Sequence, residues 1–218
     1  STALTGLLFV AGIYFALFAS PADYQQGDTV RIMYVHVPSA WMAMGAYTFI
    51  AVMSATSLIW KHPLADIAAR AAAPLGAGFT VIVLTTGSLW GKPTWGTWWV
   101  WDARLTSVLV LFFLYLGHIA LTHAFDNPQR GAKAAAVLAL VGFVNIPIIK
   151  FSVDWWNTLH QPASLTRLDR PAIDPAMLTP LLLMGLAFMA YFITMLLIRM
   201  RADLNAARAR ALQLSAAE

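Results

Sequence analysis

Six stretches of this 218-residue chain contain no Asp, Glu, Lys or Arg: residues 4–20, 37–60, 71–91, 105–125, 134–149 and 175–198. A helix needs roughly 20 apolar residues to cross a bilayer's hydrocarbon, which is about 30 Å thick. Backbone polar groups in lipid must be satisfied within the segment, and runs this uniformly apolar suit helices. The expected fold is therefore an all-α polytopic membrane protein, a bundle of six transmembrane helices. Composition agrees, with 60% hydrophobic and 11% charged residues and a mean hydropathy of +0.68. An ordinary soluble domain, with about a quarter of its residues charged, is excluded.

The first stretch ends in "ALFAS", as a signal peptide can, but no basic region precedes it, so it counts as a span. Six crossings put both termini on one side. That side holds Lys61, Arg70, Arg130, Lys133, Arg199, Arg201, Arg208 and Arg210; the other holds Arg31, Lys92, Arg104, Lys150, Arg167 and Arg170. Four of the first group follow the last span closely, where basic residues count most, so both termini are expected in the cytoplasm. The net charge of +4 then reflects topology, and nucleic acid is not implied. Residues 199–218 have helical periodicity and are expected to continue the last helix as a cytoplasmic tail. Pro147 is expected to kink the fifth span, and Gly76, Gly78 and Gly87 to allow close helix packing. The absence of cysteine excludes disulfides and thiolate-bound metals, leaving His, Asp and Glu as metal ligands.

Five of the nine tryptophans fall in "WGKPTWGTWWVWDARLTS", residues 90–107, expected as an interfacial loop on the outer face. Trp155 and Trp156 lie in the next outer loop and Trp41 just inside the second span; only Trp60 marks the inner boundary. An aromatic belt anchors both interfaces, so this imbalance asks for a further reason. "GKP" and Gly96 argue against a helix continuing from the third span. A short helix over residues 95–103 would put Trp95, Trp98, Trp99 and Asp102 on one face. Such a face admits two readings: indoles resting among lipid headgroups, or a surface on which a large flat apolar molecule stacks.

The histidines favour the second. His36, in "RIMYVHVPSAW", and His160, in "DWWNTLHQPAS", lie in the two outer segments flanking the tryptophan loop. If the third outer loop is helical, Trp156 and His160 share a face. His62, His118 and His123 fall at the inner side. Two imidazoles bracketing an indole surface are what a bis-histidine haem site requires. Its propionates would take basic partners, and Arg104, Arg31, Lys92, Lys150, Arg167 and Arg170 are the outer candidates, arginine binding carboxylate better than lysine. Asp102 has three readings: a partner of Arg104, an acceptor for an indole N–H, or support for a histidine.

The stretches "PADYQQG", "RIMYVHVPSAW", "GSLWGKPTWGTWWVWDARLTS" and "FSVDWWNTLHQ" resemble the tryptophan-rich (WWD) haem-handling membrane proteins of bacterial cytochrome c biogenesis. Within that group the chain is most similar to the haem exporter protein C (CcmC) family of the system I pathway, over nearly its whole length. The resemblance implies non-covalent haem b held at the periplasmic face of the inner membrane by His36 and His160. Trp95, Trp98, Trp99, Trp101, Asp102 and Arg104, with Trp155 and Trp156 nearby, would form the cofactor-binding surface. It also implies presentation of haem to a periplasmic chaperone, CcmE, beside an ABC-type complex of CcmA, CcmB and the small subunit CcmD.

Two other functions compete. A haem-transporting permease predicts polar or ionisable groups within the spans, which offer little beyond Ser, Thr, Asn145 and His118. An electron-transferring b-type cytochrome would bury its histidines between helices. No nucleophile with an activating base is evident, so an enzymatic role reduces to assisting attachment of haem to the chaperone.

Overall fold

The computed structural model describes residues 2–160 and 173–215; Arg167 and Arg170, candidates for the propionates, lie outside them. Helix α1 spans Thr2–Tyr14 and runs on through a wider π-helical turn, Phe15–Ala19. A 3-10 turn, Asp28–Ile32, leads into α2, Met33–Trp60. Then come α3 (Pro63–Trp95), α4 (Ala103–His123), α5 (Pro128–Gly142), α6 (Asn145–Trp155) and α7 (Pro175–Ser215). Among the described residues the only β-type pairing is an isolated bridge between Asp23 and Gly27.

Six segments are long and apolar enough to cross a membrane, with α5 and α6 together making the fifth. The chain is a multi-pass membrane protein. Large side chains such as Leu7, Val10, Phe18 and Ile59 stand outward, as they can where the surroundings are lipid.

Turn chemistry sets the ends. Lys61 closes α2 in the left-handed region at φ 53°, and Pro63 opens α3 where its missing N–H costs nothing. Asn127 caps α5, its Oδ1 accepting from Gln129 and Arg130 amides, again just before a proline. Pro147 cannot donate to the carbonyl of Phe143, and the fifth span breaks there, between α5 and α6.

Lipid offers helices no hydrophobic incentive to associate, so close contact falls to small residues. Helix α3 supplies them: Ala65, Ala68, Ala69, Ala71, Ala72, Ala73, Gly76 and Ala77 are all buried. The Tyr115 ring of α4 fills the space over Gly76, where any Cβ would overlap it. Its hydroxyl donates to the Ala43 carbonyl of α2 at 2.6 Å, joining three helices at one buried point. Tyr47 does the same over Gly142 and meets Tyr115 edge-on at 5.2 Å. Gly87 is also closely approached, but Gly78 faces open space. Helix α1 lies antiparallel to α7, with Gly12 against Met184 and Thr5 bonded to Thr194.

Candidate functional site

At one end of the bundle meet the start of α2, the end of α3, the start of α4 and the end of α6. The tryptophan segment differs from the predicted helix over 95–103. Helix α3 runs straight through Gly91, Lys92 and Pro93, whose ring costs little in a final turn, and stops at Trp95. Gly96, at φ 78°, turns the chain and takes the Lys92 carbonyl as acceptor for its amide. Residues 97–102 are irregular, braced by Thr97, whose hydroxyl donates to the Trp99 carbonyl at 3.0 Å. The indoles are therefore splayed instead of sharing one helical face. Trp98 and Trp101 are exposed, while Trp95 and Trp99 are half-buried. Trp99 meets Trp101 edge-on at 5.5 Å, and its buried Nε1 has no hydrogen-bond partner among the described residues. Lys92 sits 5.9 Å over the Trp98 ring.

Asp102 begins α4. Its Oδ1 accepts from the Leu105 amide at 2.7 Å, an N-cap that satisfies one of the helix's orphan donors. Oδ2 faces the loop after α6, accepting from the Leu159 amide at 3.4 Å and lying 3.9 Å from His160 Nδ1. Of the three groups read as partners of Asp102, a histidine is the one that lies near its carboxylate, at 3.9 Å and beyond hydrogen-bond reach, His160 Nδ1 having no hydrogen-bond partner among the described residues. No helix forms over 156–160, so Trp156 and His160 do not share a helical face; α6 ends at Trp155. The His160 ring packs instead against Trp95, edge-on at 4.9 Å.

Burial pushes the His160 imidazole down to about 4; the Arg104 guanidinium adds to this, Asp102 opposes it, and His36 lies near enough to lower it further. The ring is thus neutral at neutral pH. Arg104 donates to Ser152 Oγ at 3.0 Å and to the carbonyls of Ile149 and Lys150 at 3.3 and 3.4 Å, binding α4 to α6.

His36 stands in the first turn of α2, not in a loop, and its Nδ1 lies 2.9 Å from Thr86 Oγ1 on α3. Trp90 packs edge-on to it at 5.7 Å and is itself fixed, its Nε1 donating to Gln26 Oε1 at 2.7 Å.

A model of the family described as CcmC, Heme exporter protein C, matches residues 1–215. The chain belongs to the heme exporter protein C family. A "Heme exporter protein C" of Bradyrhizobium diazoefficiens is 56% identical over 212 residues, which cover 97% of this chain and 80% of that protein. One from Haemophilus influenzae is 52% identical over 201 residues, 92% of this chain and 82% of its own. A protein of Marchantia polymorpha called "Putative cytochrome c biosynthesis ccmC-like mitochondrial protein" is 48% identical over 187 residues, 86% and 78% respectively.

In this family member Trp95, Asp102, Arg104, His36 and His160 gather at one end. Trp155 and Trp156 form their own pair, Trp155 stacking on Phe151 at 5.4 Å, and no described ring contact joins them to the indoles of 95–101. Arg31 is committed to Asp28 and to the carbonyls of Ala16 and Leu17, and Lys92 to the Gly96 carbonyl. Sequence reasoning missed Thr86, Gln26 and Ser152. Each acts across 45 or more residues of chain, a relation no local pattern carries.

Proposed function

We propose that this chain handles haem in cytochrome c biogenesis, binding haem b non-covalently through His36 and His160 and presenting it to a periplasmic haem chaperone of the CcmE kind. The observation that carries the reading is the convergence of His160, Asp102 and Trp95, from three separate segments, beside His36. The residues fit the ligand. A porphyrin brings four equatorial nitrogens of its own, so the protein need add only two axial ones. His36 has its Nδ1 directed at Thr86 Oγ1, which leaves its Nε2 for iron, and His160 has its Nδ1 on the side of Asp102, 3.9 Å from Oδ2, which leaves its Nε2 on the other.

Each residue has a part. Trp95, Trp98, Trp99 and Trp101 offer ring surface, with Trp155 and Trp156 widening it. Arg104, whose charge bears on both imidazoles and whose Nη1 takes no part in its three bonds to α6, is suited to a propionate. The half-open setting of Trp98 and Trp101 favours a molecule that is handed on over one held permanently. The chain's contribution is orientation, with covalent chemistry left to the chaperone. The aromatic end faces the periplasm in this reading, the termini lie in the cytoplasm, and the inner-membrane neighbours are CcmA, CcmB and CcmD.

Purified protein is expected to show the absorption spectrum of six-coordinate haem. His36→Ala with His160→Ala removes it, and His62→Ala with His123→Ala leaves it intact. A full spectrum in the first pair, at matched protein abundance, would end the reading.

A further inference from the structure

Thr86 decides which nitrogen of His36 is free. Its hydroxyl has one proton, and the helix claims it: Thr86 Oγ1 donates to the Ile82 carbonyl, one turn back, at 2.6 Å. A carbonyl oxygen can only accept, so this bond has one possible direction. What remains on Oγ1 is lone-pair density, and His36 Nδ1 lies 2.9 Å from it. Two acceptors cannot bond each other; Nδ1 must therefore carry the hydrogen. In a neutral ring, Nε2 is then the bare nitrogen.

We infer that Thr86 is a positioning residue for haem ligation: by accepting from Nδ1–H it fixes His36 in the tautomer whose Nε2 lone pair faces the iron site. The inference rests on the proposed haem reading and deepens it. The surroundings hold the ring on that side of α3, where the Val83 carbonyl is a second acceptor beside it. A Cβ on Gly87 would come 3.1 Å from His36 Cε1, so the imidazole lies close against the α3 backbone. Trp90, anchored by Gln26, packs edge-on to the ring one turn further along. Thr86, Gly87 and Trp90 form a seat in α3 for a ring delivered by α2. His160 faces a carboxylate where His36 faces a neutral hydroxyl.

The test uses the full chain, labelled with 15N-histidine and kept free of haem; with five histidines, His36 is assigned by comparison with His36→Ala. The expected signal is a protonated Nδ1 and an unprotonated Nε2. Thr86→Val, which keeps the shape and removes the acceptor, is expected to move His36 toward the Nε2–H form that neutral histidine otherwise favours in water. It should also weaken haem binding about 10- to 100-fold, as losing a ligand's supporting hydrogen bond typically does. Thr86→Ser should restore both. An Nε2–H ring in the parent protein, or an Nδ1–H signal unchanged in Thr86→Val, overturns the inference while the haem reading stands. Six-coordinate haem persisting in His36→Ala overturns the haem reading, and this inference with it, whatever the tautomer.

Discussion

His36 and His160 reach one end of the bundle on unlike supports. His36 is built into a 28-residue helix and pressed into a seat made by its neighbour, so the packing of α2 on α3 positions it. His160 stands five residues beyond the end of α6, on irregular chain, and leans on one carboxylate and one indole. The helical histidine inherits its precision from the fold. The loop histidine follows Leu159, whose amide is held by Asp102, a residue already employed as a helix cap. One half of the site should therefore fail with the scaffold, and the other should fail by itself.

The largest effect is expected where the scaffold is tightest. Gly76→Ala sets a methyl group against the buried Tyr115 ring and pulls its hydroxyl from the Ala43 carbonyl. Overpacking of this kind costs about 1–3 kcal/mol, so thermal unfolding in detergent should move sharply downward, taking His36's seat with it. An unchanged melting temperature would break the claim that packing positions this half.

Asp102→Asn sharpens the contrast. Asn caps a helix about as well as Asp, so α4 should keep its start and the protein nearly all of its stability. What is lost is the charge facing His160, and haem affinity should fall about 10- to 100-fold. Equal losses of stability and affinity would show that the carboxylate serves only the cap.

The smallest effect is expected at the opposite end. Arg70 and Asp203 pair at 3.3 Å with both side chains more than a third exposed, and such pairs contribute about 0–1 kcal/mol. Arg70→Ala should leave the haem spectrum untouched. A change in that spectrum would link the two ends and undo the separation drawn here.

The spans were legible because an uninterrupted apolar run has one stable arrangement in lipid. Pro147 was legible too, since the carbonyl it deprives sits four residues earlier in any helix. The tryptophan segment was misjudged because the periodicity of 95, 98, 99 and 102 is real in the sequence, yet Gly96 enters the left-handed region and cancels it. Lys92 and Pro93 were misjudged in the opposite sense: one proline in a last turn forfeits one hydrogen bond, too little to stop α3. The residue types of the site were legible, and its supports Thr86, Gln26 and Ser152 were not. Thr86 meets His36 only through the register of two helices, and Ser152 meets Arg104 only because the fifth span breaks and resumes.

Helix α7 is 41 residues long, so as an unbroken rod it measures about 60 Å, twice the hydrocarbon it must cross. Its first residue lies at the aromatic end and its last third projects past the other. A subunit grasping that projecting third would hold a lever, and a few degrees of tilt there would arrive as ångströms of travel at the helix's far end.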